Sequence, residues 1–145
     1  MIIRKGVLLV MVILLCAALA GCMAISRGKG VKSIEEKLGI KIEGIRLSAG
    51  GYMLDFRYRV LEPDKAHSLF DPKIQPYLVD EATGAKFTVP APPKVGSLRQ
   101  KSRGGIPKKD RVYSILFANP ARYVKAGKRV SIVFGKVSIE GVTVQ

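Results

Sequence analysis

Few side chains in this sequence are equipped for chemistry, and most of them stand apart. There are two cysteines, Cys16 and Cys22, and one histidine, His67. Cys22 follows Leu19-Ala20-Gly21 at the end of an apolar run. A thiol at that point could be a core group, half of a disulfide, a metal ligand or the nucleophile of a processing site. As a thiolate it is nucleophilic enough to form a thioether. His67 has Asp64 and Asp71 nearby in sequence, but a metal site wants three or four convergent ligands. The reading for His67 is a surface side chain. No G-x-S-x-G elbow marks a serine for it to activate. Glu35-Glu36 and Asp80-Glu81 are adjacent acids, and paired carboxylates can hydrolyse glycosides. The first pair falls on a short helix and the second at a strand end, positions that suit capping and turns. No phosphate-binding loop of the form G-x-x-x-x-G-K-[ST] occurs. The expectation is therefore no catalytic residue, no metal and no cofactor.

What remains is charge. The segment KVGSLRQKSRGGIPKKD, residues 94–110, carries Lys94, Arg99, Lys101, Arg103, Lys108 and Lys109, with Arg111 just after it. It is expected to be a long, mobile polar connection, the kind of place where binding residues sit. Near an anionic membrane each basic residue can contribute about 1 kcal/mol. No aromatics interleave with these cations, so stacking on nucleic-acid bases is not suggested. The competing reading is a solubilising loop. Arg57 and Arg59 also share a strand face with Asp55, where a solvated ion pair worth little is expected.

The elements that position these residues begin with a leader. Arg4 and Lys5 precede Val7 to Gly21, fifteen residues without a charge. A helical span needs about 20 apolar residues, so this run fits the apolar core of a signal peptide. Ala17, Ala18, Ala20 and Gly21 crowd its end. With Cys22 next, the arrangement resembles the lipobox of bacterial lipoproteins. That resemblance covers residues 1–22 and implies cleavage between Gly21 and Cys22, with lipid on Cys22. Cys16 would be discarded with the leader, leaving no free thiol and no disulfide. One acyl chain binds a membrane only marginally; the two or three chains that the resemblance implies would hold permanently. Met23 stands where an Asp would retain a lipoprotein in the inner membrane, which favours the outer membrane in a Gram-negative cell. The expected location is a cell or outer membrane, on the periplasmic or extracellular face.

Removing the leader takes the formal charge from +14 down by the two of Arg4 and Lys5, to +12 for residues 22–145. Charge of that size speaks of partners and solubility. An exported protein is not expected to meet nucleic acid; an anionic lipid, an acidic polysaccharide or an envelope protein is the expected partner. Residues 22–32, rich in Gly and basic side chains, read as a tether of roughly 18 Å if ten residues are flexible. Residues 33–145 then form a single domain.

Ser33 and Glu36 have the spacing of a capping box, with Gly39 as a helix stop. The helix is expected over 34–38 only. Strand patterns dominate thereafter. Tyr52, Leu54, Phe56, Tyr58 and Val60 alternate with polar residues, which is the period-two signature of a half-buried strand. An earlier strand is expected over 40–48. Residues 62–74 read as a loop. A hairpin is expected around Gly84, and further strands over 112–118, around 130–134 and from Val137 to Val144, the last with a bulge at Gly141. About seven short strands predict an all-β immunoglobulin-like β-sandwich, with a small closed β-barrel as the alternative. The blocks GGYMLDFRYRV, PYLVDEATGAKF and ILFANP resemble those of uncharacterised exported bacterial proteins, which implies no particular activity. The functional expectation is a lipid-anchored, non-catalytic binding or accessory module of the cell envelope. An envelope hydrolase using carboxylates or His67, and a structural envelope component, are the alternatives.

Overall fold

Seven strands form two antiparallel sheets in the computed structural model, which describes residues 29–145. The expected leader, the cleavage site at Gly21 and the thiol of Cys22 lie outside the described residues. One sheet is ordered β1 (Ile40–Ser48), β2 (Met53–Val60), β5 (Val112–Ala118). The other is ordered β4 (Lys86–Thr88), β3 (Tyr77–Asp80), β6 (Arg129–Phe134), β7 (Val137–Thr143). The chain crosses between sheets after β2, β4 and β5. Three strands facing four with these crossings make the Greek key of an immunoglobulin-like sandwich. The barrel does not form. Among the described residues, the backbone bridge between the two sheets is the parallel one from Val144, beyond β7, to Ile45 of β1. There the Gln145 amide donates to the Ile45 carbonyl at 2.9 Å, and Leu47 donates to Gln145 at 3.1 Å.

The core follows the alternation of the strands. Leu54, Phe56, Tyr58 and Val60 of β2 are fully buried, with Tyr113, Ile115 and Phe117 of β5 facing the same interior. Leu78, Ile132 and Ile139 close it from the opposite sheet. Full burial of one such side chain is worth about 1.5–3 kcal/mol. The bulge expected at Gly141 is present. The β6–β7 register shifts between Val130 and Ile132, and Gly141 has φ +73°. Gly84 turns the β3–β4 hairpin at φ +73°.

Four local expectations are corrected. The first helix, α1, spans Lys29–Leu38 rather than starting at residue 34. Residues 29–32, assigned to the tether, are therefore its first turn. Ser33 lies inside this helix and its hydroxyl donates back to the Gly30 carbonyl at 2.9 Å, so it is no N-cap. Gly39 does stop the helix, at φ +62°, and a Cβ there would lie 2.7 Å from the Glu62 carbonyl oxygen. Tyr52 was placed with the inward residues of β2 but is 53% exposed. The tight turn at Ala49–Gly51 delays the strand to Met53, and Arg122 stacks over the Tyr52 ring at 4.8 Å. Asp55, expected in water, is buried. It sits on the central strand between Arg46 of β1 and Leu116 of β5, and Arg57 Nε donates to its Oδ2 at 2.7 Å. The expected loop 62–74 contains a short helix α2 (Pro63–Ala66) and a 3-10 turn (His67–Phe70). Ala66 and Leu69 anchor it in the core, and the Phe70 ring meets Tyr113 edge-on at 4.7 Å.

Candidate site beneath the basic segment

The basic segment is not a free connection. An edge strand presents unpaired amides and carbonyls, and the segment satisfies those of β5. Leu116 donates to the Leu98 carbonyl at 3.0 Å and Gln100 donates to the Ser114 carbonyl at 3.1 Å. Arg99 thereby faces Ile115 in an antiparallel bridge. The far end is pinned as well. Asp110, at φ +60°, donates its amide to the Val60 carbonyl at 2.7 Å. The Lys108 amide donates to the Tyr113 hydroxyl at 2.9 Å. The expectation of mobility overlooked that a polar run can still supply backbone hydrogen bonds to a sheet edge.

This anchoring sorts the seven basic residues. Lys94, Lys101, Lys108, Lys109 and Arg111 are exposed. Arg103 begins a 3-10 turn through Gly105. Among the basic side chains whose burial is described, Arg99 alone is turned partly inward. Its Nη1 donates to the Ile74 carbonyl at 2.7 Å, while its Nη2 is buried with no protein partner. Burial pulls its pKa below the ordinary arginine value, and Tyr58 and Asp71 oppose that shift. It stays a cation at neutral pH. Arg99 and Lys101 line one pocket of about 330 Å³ with Phe70, Pro72, Gln75, Ser97, Gln100, Ser102 and Gly105. Lys101, Ser102, Lys108 and Arg111 line a second of about 280 Å³, together with Ile106 and Tyr113. Lys94 and Lys109 line neither.

Two groups that sequence reasoning missed belong to this region. The Ser102 hydroxyl is buried without a protein partner and lines both pockets. The Tyr58 hydroxyl is likewise buried and unpartnered. Burial drives its pKa well above the ordinary tyrosine value, against the opposing field of Arg99. Buried polar groups are nearly always hydrogen-bonded; of the five unpartnered buried side-chain atoms among the described residues, those of Arg99, Ser102 and Tyr58 lie here and the other two are one carboxylate oxygen each of Asp55 and Asp80. Nothing in the sequence flagged them. Ser102 stands in a run of cations, and Tyr58 reads as an ordinary core aromatic.

The segment also carries apolar tips. Val95 is 72% exposed and Ile106 is 67% exposed, the highest values among the large hydrophobic side chains described. Lys94 precedes Val95, and Lys108-Lys109 follow Ile106 by two residues.

The residues considered for catalysis are dispersed. His67 is exposed on the 3-10 turn after α2, and Asp64 is exposed on α2. Glu35, Glu36 and Glu62 line a groove of about 290 Å³ with Lys32 and Lys41. Glu35 accepts the Ile42 amide at 2.6 Å, and Glu62 is held by Lys65 at 2.8 Å. Asp80 accepts the Thr83 hydroxyl at 2.7 Å, as suits a hairpin turn. Glu81 accepts from the Ser131 hydroxyl at 2.8 Å and from the Gly141 amide at 2.6 Å. It thereby serves the donor freed by the bulge. Arg59 pairs across strands with Glu43 at 2.8 Å. Among the described residues no three metal-ligating side chains cluster, and no helix is long and apolar enough to cross a membrane. Comparison of the chain with protein-family models, with curated proteins and with solved structures finds no match.

Proposed function

We propose that this chain is an exported lipoprotein, anchored through lipid on Cys22, whose sandwich is a non-catalytic binding module for an anionic membrane surface. The observation that carries this reading is the pairing of exposed Val95 and Ile106 with neighbouring lysines on a segment pinned to the β5 edge. Apolar tips flanked by cations suit the boundary between acyl chains and anionic headgroups. Rigid backbone anchoring lets the tips insert without a large ordering cost. The lipid would hold the domain at the bilayer, and the segment would orient it there.

Two measurements test this. The intact mass of protein purified from its own membranes should equal residues 22–145 plus acyl chains, and Cys22→Ala should lose the lipid. Co-sedimentation with phosphatidylglycerol vesicles should then be compared with a Lys94→Gln, Lys108→Gln, Lys109→Gln variant, both chains lacking lipid. At about 1 kcal/mol per lysine, the triple change should weaken binding on the order of 100-fold. Equal binding would remove the membrane role of the segment, and an unprocessed native chain would remove the lipoprotein reading.

A further inference from the structure

We infer that the end of the sandwich carrying Tyr52, Arg122 and Tyr123 binds an acidic polysaccharide, a chain of sugar rings bearing carboxylates. The inference goes beyond the membrane reading and uses other residues; it borrows from the proposed function only the exported location. The site is built from two connections, residues 48–52 between β1 and β2 and residues 119–128 between β5 and β6. Asn119 locks them together, its Nδ2 donating to the Gly51 carbonyl at 2.8 Å. Both connections hold disfavoured backbone. Of the four non-glycine residues with positive φ among the described residues, three lie here: Ala49 at +49°, and Ala121 and Arg122 both at +54°. Residues with a Cβ adopt that region at a cost, and such outliers gather at ligand clamps.

The strained turns present aromatic rings and cations. Tyr52 is 53% exposed and Tyr123 is 49% exposed. Neither ring is loose: Arg122 lies over Tyr52 at 4.8 Å, and Tyr123 meets the buried Phe87 ring at 5.7 Å. Arg122, Lys125 and Lys128 are exposed. Among the described residues no carboxylate lies within 4.0 Å of any of the three. The two connections contain no Asp or Glu. Arg129, next along the chain, is already paired with Glu81 at 2.9 Å.

This combination suits a sugar ring that carries an acid. The negative face of an aromatic ring attracts the weakly positive C–H face of a pyranose, and the tyrosine hydroxyl offers a hydrogen bond beside it. The amides of Arg122, Tyr123 and Val124 are spent on the carbonyls of Asn119 and Pro120 and on Asn119 Oδ1. An anion arriving here therefore meets side-chain cations, and a guanidinium is the side chain best shaped for a carboxylate. A bilayer fits this end less well, because insertion wants aliphatic tips. The other exposed large hydrophobic side chains described are aliphatic and lie elsewhere: Leu61 beyond the far end of β2, and Val95 and Ile106 on the basic segment. The fixed turns present the rings in place, so little side-chain entropy would be lost on binding.

An oligogalacturonate is the probe, titrated calorimetrically into the full chain in a zwitterionic detergent at physiological salt. Saturable binding is expected. Arg122→Gln removes the guanidinium and should weaken binding about tenfold. Tyr52→Ser removes one ring and should weaken it about fivefold. Should Arg122→Gln disturb its strained turn, Tyr52→Ser decides, since that ring is half exposed. The Lys94→Gln, Lys108→Gln, Lys109→Gln variant should bind the oligosaccharide within about twofold of the native chain, because salt screens charges beyond about 8 Å. Absence of saturable binding would overturn the inference. So would equal binding by Tyr52→Ser and the native chain, neutral dextran binding as tightly, or a loss in the lysine variant as large as in Arg122→Gln. Tighter binding of oligothymidylate would assign this end to single-stranded nucleic acid and overturn it too. Tyr52→Ser should still sediment with phosphatidylglycerol vesicles; loss of that sedimentation would make this end part of a membrane face instead. Vesicle binding that survives the lysine changes, with oligogalacturonate binding intact, would strike the membrane reading alone.

Discussion

Two buried polar regions of this sandwich contrast. At one, Asn119 ends β5 and is fully buried. Its Nδ2 donates to the carbonyls of Gly51 and Val124, both at 2.8 Å, and its Oδ1 accepts the Val124 amide at 2.9 Å. Every contact is to backbone. The side chain ties the β5–β6 crossover to the β1–β2 turn and leaves nothing over for a ligand. At the other, Arg99, Ser102 and Tyr58 bring buried polar atoms together with no partner for three of them. A saturated buried amide is a structural brace. A half-buried cation with one unpartnered nitrogen has bonding capacity left over. Burial alone does not separate the two; the count of unmet donors does.

The sharpest way to break this contrast is at the brace. Asn119→Ala should cost about 3 kcal/mol, because it strips partners from the buried amide and carbonyl of Val124 and from the half-buried Gly51 carbonyl. Urea denaturation measures this, and a loss below about 1 kcal/mol would mean that water replaces the amide without penalty. The next effect lies at Glu81, another saturated group. Burial raises its pKa, but the Gly141 amide, the Ser131 hydroxyl and Arg129 outweigh that and hold it below the ordinary carboxylate value. A depressed folded pKa contributes stability above the unfolded value of about 4.3. That stability is lost as pH falls through the folded value. Thermal melts from neutral pH into acid should therefore show Glu81→Gln less stable at neutral pH, with the gap to the native chain closing in acid.

The unsaturated region should respond in the opposite sense. Tyr58→Phe removes a buried hydroxyl that has no partner, so stability should hold or rise by about 1 kcal/mol at neutral pH. Alkali adds a sign. With a folded pKa raised above the unfolded value of about 10, the tyrosine's stability is intact below that value and is lost as pH climbs toward the folded one. The phenylalanine variant should lose less stability in alkaline denaturation than the native chain. The smallest effect is Ser102→Ala, within about 0.5 kcal/mol of the native stability. A large loss of stability there would make Ser102 a brace like Asn119 and dissolve the comparison.

Much of the fold was legible because alternation is a local signal. Ile40–Ser48, Val112–Ala118 and the hairpin around Gly84 can be read from single side chains and the glycine that turns between them. Gly141 announced its bulge for the same reason. The errors fall where a partner from elsewhere decides. Asp55 looked wet, yet β1 and β5 flank it and Arg57 covers it. Residues 62–74 looked like a loop, yet Leu69 and Phe70 reach the core. The helix began earlier than its apparent capping box. Of the site, the cluster of cations was visible, but all seven looked alike.

The sequence by itself determined the class of the domain and the chemistry available to it: period-two strands, a basic segment, and a cysteine after Leu-Ala-Gly. Those properties depend on residue type and spacing along the chain, which sequence states directly. Only the tertiary structure distinguished Arg99 from the exposed Lys94, Lys101, Lys108, Lys109 and Arg111. Pairing of residues 98–100 with β5 turns that one guanidinium toward Ile74 and the pocket. It also brings Ser102 to the same wall and sets Tyr58 near by. Whether a polar atom is buried and whether its partner is present are facts about distant segments meeting, and no local pattern encodes them.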